Sequence, residues 1–151
     1  MRPAGAWFRS WCVADLVGAI MNALLADAAF NAASQGRVFA GELPPAETAS
    51  MPRAATMIQP AGGASIAAGS FVEHDTQRLD LFFYGETPNQ ANELARAGRD
   101  VLSRLRRVVV SGVLIHWVEP AGGYSAGRDR DGNWPVAYQS YQVFSALKEV
   151  S

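Results

Sequence analysis

The chain has 151 residues, 49% of them hydrophobic, and a formal net charge of −1. That is enough apolar material for one packed core and too little for two, and it excludes a chain disordered throughout. The near-neutral balance removes any bulk electrostatic case for wrapping nucleic acid or coating a membrane.

Residues 1–12, with Trp7, Phe8 and Trp11, read as an N-terminal arm ahead of a single domain over 13–151. Arg2 and Arg9 precede an apolar stretch from Trp11 to Ala29, but Asp15, Asn22 and Asp27 interrupt it. It is therefore read as a folded helix, and not as a secretion signal or a membrane span. Val13, Leu16, Val17, Ile20, Leu24 and Ala28 fall at three- and four-residue steps, which predicts a helix over Val13–Ala29. Gln35-Gly36 marks a stop and turn, and Arg37-Val38-Phe39 a short strand. From Ala40 to Arg53 the prolines Pro44, Pro45 and Pro52 predict a loop. Ala55–Gln59 is a short strand candidate, and the uncharged Gly/Ala segment from Pro60 to Gly69 a flexible loop or hairpin tip.

Phe71–Tyr84 carries the longest strand pattern. Gln77, Leu79, Leu81 and Phe83 share one face, while Thr76, Arg78, Asp80, Phe82 and Tyr84 share the other. Thr87-Pro88-Asn89-Gln90 then supplies a cap, a proline at the first helical position and a glutamine at the third. Ala91, Leu94, Ala95, Gly98, Val101, Leu102 and Leu105 keep the helical step behind it, opposite Glu93, Arg96, Arg99, Asp100 and Arg104. Val113–Val118 is a strand, Ala121–Asn133 a polar glycine-rich excursion, and Val136–Leu147 the last strand. There is no internal repeat, heptad array or low-complexity tract.

Catalysis needs a nucleophile or metal with a tuned base nearby, and little of that is present. His74-Asp75 is half of a triad with no serine in a nucleophile-elbow pattern, and His116 beside Trp117 reads as an ordinary strand residue. Asp129-Arg130-Asp131-Gly132-Asn133 starts like a calcium loop, but runs into Trp134-Pro135 with no closing glutamate. Gly62-Gly63-Ala64-Ser65 lacks the lysine and the following helix of a phosphate loop. The single Cys12 allows neither an intramolecular disulfide nor a thiolate metal cage. No catalytic residue, metal or cofactor is expected. Of thirteen basic residues all but Lys148 are arginine. Arg104, Arg106 and Arg107 give the second helix a basic end that suits its dipole, or else a patch for an acidic neighbour or DNA.

Three segments together carry a resemblance. The opening helix bears Ala-Leu-Leu-Ala-Asp-Ala-Ala-Phe at 23–30, followed by Gly36-Arg37-Val38-Phe39 and a proline-rich loop. The strand from Gln77 to Gly85 leads into the helix from Thr87 to Arg107. Val113-Leu114-Ile115 and the aromatic return from Tyr138 to Phe144 complete the pattern. Over about residues 13 to 148 the chain resembles the tail terminator, or tail-completion, proteins of long-tailed phages, prophages and gene transfer agents. The resemblance implies an α+β fold: a mostly antiparallel sheet of about four to five strands with two helices packed on one face. It further implies a hexameric ring that caps the tail tube and joins it to the neck, with DNA passing through its channel without sequence specificity. The expected partners are other copies of the chain, the tail tube protein and the neck (stopper) protein, with no membrane; the expected location is the tail–neck junction of a particle assembled in the host cytoplasm.

No catalytic residues carry over, so the candidates are subunit or channel contacts: Trp7, Phe8, Trp11, Arg78, Asp80, Arg104, Arg107, Arg128 and Trp134. The aromatic N-terminal stretch and the long loop from Gly122 to Trp134 depart from the family pattern. Both leave open a sister role elsewhere in the neck. Exposed aromatics and the uncharged loop at 61–70 are awkward on an isolated small domain and reasonable in a closed heterologous interface. Two other readings stand beside this one. A ferredoxin-like nucleic-acid or regulatory module would use Phe82, Tyr84 and Trp117, but lacks the basic background. A small enzyme would need a polar pocket begun by His74, Asp75 and Asp80.

Overall fold

A computed structural model describes residues 15–62, 74–130 and 132–146. The expected arm with Trp7, Phe8 and Trp11, and most of the uncharged loop, lie outside the described residues.

The first helical stretch is two helices. Helix α1, Leu16–Ala26, is capped by Asp15, whose carboxylate accepts from the Gly18 amide, and it buries Leu16, Ala19, Ile20 and Leu24. Asp27 then leaves helical geometry at φ −80° and ψ 123°, and its carboxylate caps helix α2, Ala28–Ser34, by accepting from the Phe30 amide at 2.9 Å. Aspartate favours a cap over a helix interior, so the expected continuous helix to Ala29 bends here by 95°. Gln35 in the left-handed region and Gly36 end α2, as their composition predicts. No single described helix is long and apolar enough to cross a membrane.

Strand β1, Val38–Ala40, lies parallel to β2, Ala55–Gly62. Between them the expected loop folds into a short helix α3, Pro45–Ser50, with Pro45 at a first-turn position where its missing amide costs nothing. Strand β3, His74–Tyr84, pairs antiparallel with β2 on one side and with β7, Pro135–Ala146, along its whole length on the other. Helix α4, Pro88–Ser103, starts at the foreseen cap: Thr87 Oγ1 accepts from the Gln90 amide, and the Gln90 side chain reaches back to the Glu86 amide. The helix ends before Arg104, so Arg106 and Arg107 lie in the following turn. Two strands went unforeseen. These are β4, Val108–Val110, which hairpins onto β5, Val113–Pro120, and β6, Ser125–Arg128, within the predicted excursion.

The sheet therefore has seven strands in the order β1-β2-β3-β7-β5-β4, with β6 also on β7, where four or five were expected. The far edge of β7 is shared, with β6 holding residues 135–138 and β5 residues 141–145. The chain is a mixed α+β protein with four described helices and a sheet that is antiparallel except for β1 against β2.

Leu79, Leu81 and Phe83 enter the core with Ile20, Leu24, Phe30, Leu94 and Leu102. Gly98 sets how closely α4 approaches: a Cβ there would sit 2.8 Å from the Phe83 ring and 3.3 Å from the Phe30 ring.

The proline-rich segment is tied to the sheet edge by Glu47, which is buried. Its carboxylate accepts from Arg53 Nε at 2.8 Å and Nη2 at 2.5 Å, with Arg37 Nε at 3.8 Å. The Arg53 hydrogen bond, then the charges of Arg53 and Arg37, hold this carboxyl below its ordinary 4.5 against the effect of burial. A depressed folded-state value stabilises the fold above pH 4.5, and that contribution fades as pH falls through the folded value. Glu47→Gln is expected to cost about 1–3 kcal/mol at neutral pH. Urea titrations should show the gap from the native chain narrowing as the pH drops below 4.5.

Candidate assembly surface

Period-two alternation sends Arg78, Asp80 and Phe82 of β3 to the face opposite Leu79, Leu81 and Phe83. Full-length pairing with β7 sets Phe82 against Tyr138, Asp80 against Ser140, Arg78 against Gln142 and Thr76 against Phe144. At its centre Asp80 Oδ1 accepts from Tyr138 Oη at 2.9 Å and Ser140 Oγ at 2.5 Å. Arg78 Nη2 donates to Ser140 Oγ at 3.1 Å, and its Nε lies 4.0 Å from Asp80 Oδ1. The two charged candidates of this strand are thus brought together, joined by two hydroxyls from β7.

Aromatic groups flank this polar centre. Phe82 and Tyr138 pack at 5.1 Å between ring centroids on one side. On the other, Phe144 contacts His116 at 4.8 Å and Trp117 at 5.6 Å. His74 Nδ1 and His116 Nε2 are 3.0 Å apart, so one ring donates and the other accepts, which requires at least one neutral imidazole. Two histidines that read as unrelated strand residues meet because β3 and β5 both pair with β7, and Phe144 of β7 packs beside them. Most of these side chains are half-buried; Arg78 is exposed, while Ser140 and Thr76 are buried.

The remaining candidates serve local structure at separate places. Arg104 Nη2 donates to Asp27 Oδ2 at 2.7 Å, fixing the break between α1 and α2. The Phe30 amide first, then Arg104, lower the Asp27 pKa. The Arg107 amide donates to the His116 carbonyl at 3.1 Å, within the turn to β4. Arg128 Nη1 donates to the Asn133 carbonyl at 3.0 Å, closing the β6–β7 turn. Trp134 packs edge-on against Tyr84 at 6.0 Å. Tyr84, a stacking candidate only under the alternative nucleic-acid reading, is buried, and burial together with the Asp129 charge pushes its hydroxyl up to about 12. Among the described residues no group of three or more His, Cys, Asp or Glu is placed to hold a metal ion.

Sequence reasoning missed one concavity. A cleft of about 400 Å³ lies between α4 and the β5–β6 turn, lined by Asn92, Ala95, Arg96, Arg99, Tyr124, Gln139 and Tyr141. Its cause is the split edge of β7, which no local pattern announces.

No family model and no curated protein matches this sequence. Among solved structures, the chain superposes on a chain of the virion of a native gene transfer agent (GTA) particle with a TM-score of 0.64. Identity is 17%, over 87% of this chain and 94% of that one. The likeness is one of fold. It extends over nearly the whole of both chains and is not confined to a shared fragment.

Proposed function

We propose that this chain is a structural subunit of a phage-like particle, a tail terminator. Its hexameric ring caps the tail tube and joins the tube to the neck, and DNA passes through the channel. The observation that carries the reading is the whole-chain likeness of fold to a chain of a gene transfer agent virion. The face of β3 and β7, exposed at Arg78 and half-buried at Asp80, Phe82, Tyr138 and Phe144, supports it. A polar centre of Arg78, Asp80, Tyr138 and Ser140 between two aromatic patches has the composition of a surface that assembly covers. The role is structural, with this face meeting the tube or neck and the sheet edges meeting neighbouring copies.

Cells that make the particle without this chain provide the test. Electron micrographs are expected to show tubes of uncontrolled length without attached heads. Tails of normal length carrying heads would overturn the reading.

A further inference from the structure

The cleft beside α4 has the makings of a binding site that the proposed face does not use. Arg96 and Arg99 line it, and Arg99 also lines an adjoining cleft of about 170 Å³ with Ser103, Arg106, Val118, Glu119, Pro120 and Tyr141. The two form one groove along the flank of the helix. None of the three guanidinium groups has a hydrogen bond or an ion pair among the described residues, although twelve arginines share the chain with fourteen acidic residues. Tyr141 joins the two clefts. Its ring is buried, and its hydroxyl, which bonds to no described residue, opens onto the cleft. Burial pushes this hydroxyl up to about 12, opposed by the Arg99 charge, so it stays a donor at neutral pH. The groove thus presents a phenol O–H and three guanidinium groups to an anion.

The shape favours a carboxylate on a polypeptide over a phosphate backbone. Ala95, Val118, Pro120 and the Tyr141 ring give the groove an apolar lining, and Glu119 on its rim repels a polyanion. One acidic side chain beside an apolar one fits these features.

The chain displays such a pair at the opposite edge of its sheet. Glu42 is exposed and has no ion pair among the described residues, and Leu43 follows it. The turn is stiff. The Gly41 amide donates to the Ile58 carbonyl at 2.8 Å, the Gly41 carbonyl accepts from Gln59 Nε2 at 2.8 Å, and Pro44-Pro45 follow. A pre-ordered segment loses little conformational entropy on docking.

We infer that the Arg96–Arg99–Arg106 groove receives the Glu42-Leu43 turn of a second copy, with the Glu42 carboxylate among the arginines and against the Tyr141 hydroxyl. The contact joins two different surfaces, one following edge strand β1 and one beside the β5–β6 side of β7, and repeated contacts of that kind close a ring. This inference rests on the ring reading above.

Charge exchange in the full-length chain tests it, by sedimentation over a range of concentrations. Native chain is expected to form a closed oligomer. Glu42→Arg and Arg99→Glu should each weaken association about ten-fold or more, and the double variant should restore it. Thermal melts check folding; Glu42→Gln and Arg99→Gln, which remove charge without reversing it, stand in for any variant that misfolds. Native chain that stays monomeric overturns the ring reading and this contact together. A closed oligomer that survives Arg99→Glu overturns this contact and leaves the ring reading intact. So does an Arg99→Glu variant that keeps its oligomer but loses binding to double-stranded DNA, which would assign the groove to phosphate.

Discussion

Replacing Phe83 with alanine lowers the free energy of unfolding by about 3–5 kcal/mol. Phe83 is fully buried on β3, its ring lies against Gly98 of α4, and the Phe30 ring of α2 approaches the same glycine. Truncation removes apolar contacts between the sheet and α4, and the β3 backbone, paired on both sides, cannot move to refill the space. A domain of this size holds about 5–15 kcal/mol in total, so the variant keeps a cooperative transition with a much earlier midpoint. The opposite change at the same contact also destabilises. Gly98→Leu gains about 1 kcal/mol of helix propensity but forces a side chain into the ring of Phe83, at a cost of about 1–3 kcal/mol or more. Urea unfolding followed by circular dichroism measures both. A loss below about 1 kcal/mol for Phe83→Ala would mean that α4 does not rest on the sheet through this contact.

The second large effect is on assembly, with the fold retained. Phe82→Arg places a charge among the half-buried aromatics of the β3–β7 face, and Arg78→Glu sets a second carboxylate beside Asp80. Each substitution costs the isolated chain little, because Arg78 is exposed and Phe82 gives up chiefly one aromatic contact of about 1 kcal/mol with Tyr138. Immunoblots of gradient-purified particles are expected to show both variants falling to background. Ala32→Arg, on the exposed side of α2, should be incorporated normally. Normal incorporation of both face variants would free this surface from any assembly role.

The parts of the fold that were legible in advance are those set by local chemistry. The Thr87-Pro88-Asn89-Gln90 cap, the Gln35-Gly36 stop and the two faces of β3 each follow from neighbouring residues alone. The break at Asp27 was also written locally. The apolar period over 13–29 masked it, because Asp27 sits on the polar side where a helix would tolerate it. Strands β4 and β6 are short, and β6 is exposed throughout, so their existence depends on partners far along the chain. Of the candidate residues, Arg78 and Asp80 meet because they are two apart on one strand. Arg104, Arg107, Arg128 and Trp134 do not join them, because each is engaged in a cap or turn of its own. The His74–His116 contact and the arginine groove needed the strand order β3-β7-β5, which no local pattern encodes.

An electron-microscope reconstruction of purified particles tests the central proposal most directly. Density for this chain is expected as one hexameric ring between the end of the tail tube and the neck, with the Arg78–Asp80 face against an axial neighbour. Absence of the chain from the particle, or its placement away from the tail end, would contradict the terminator role.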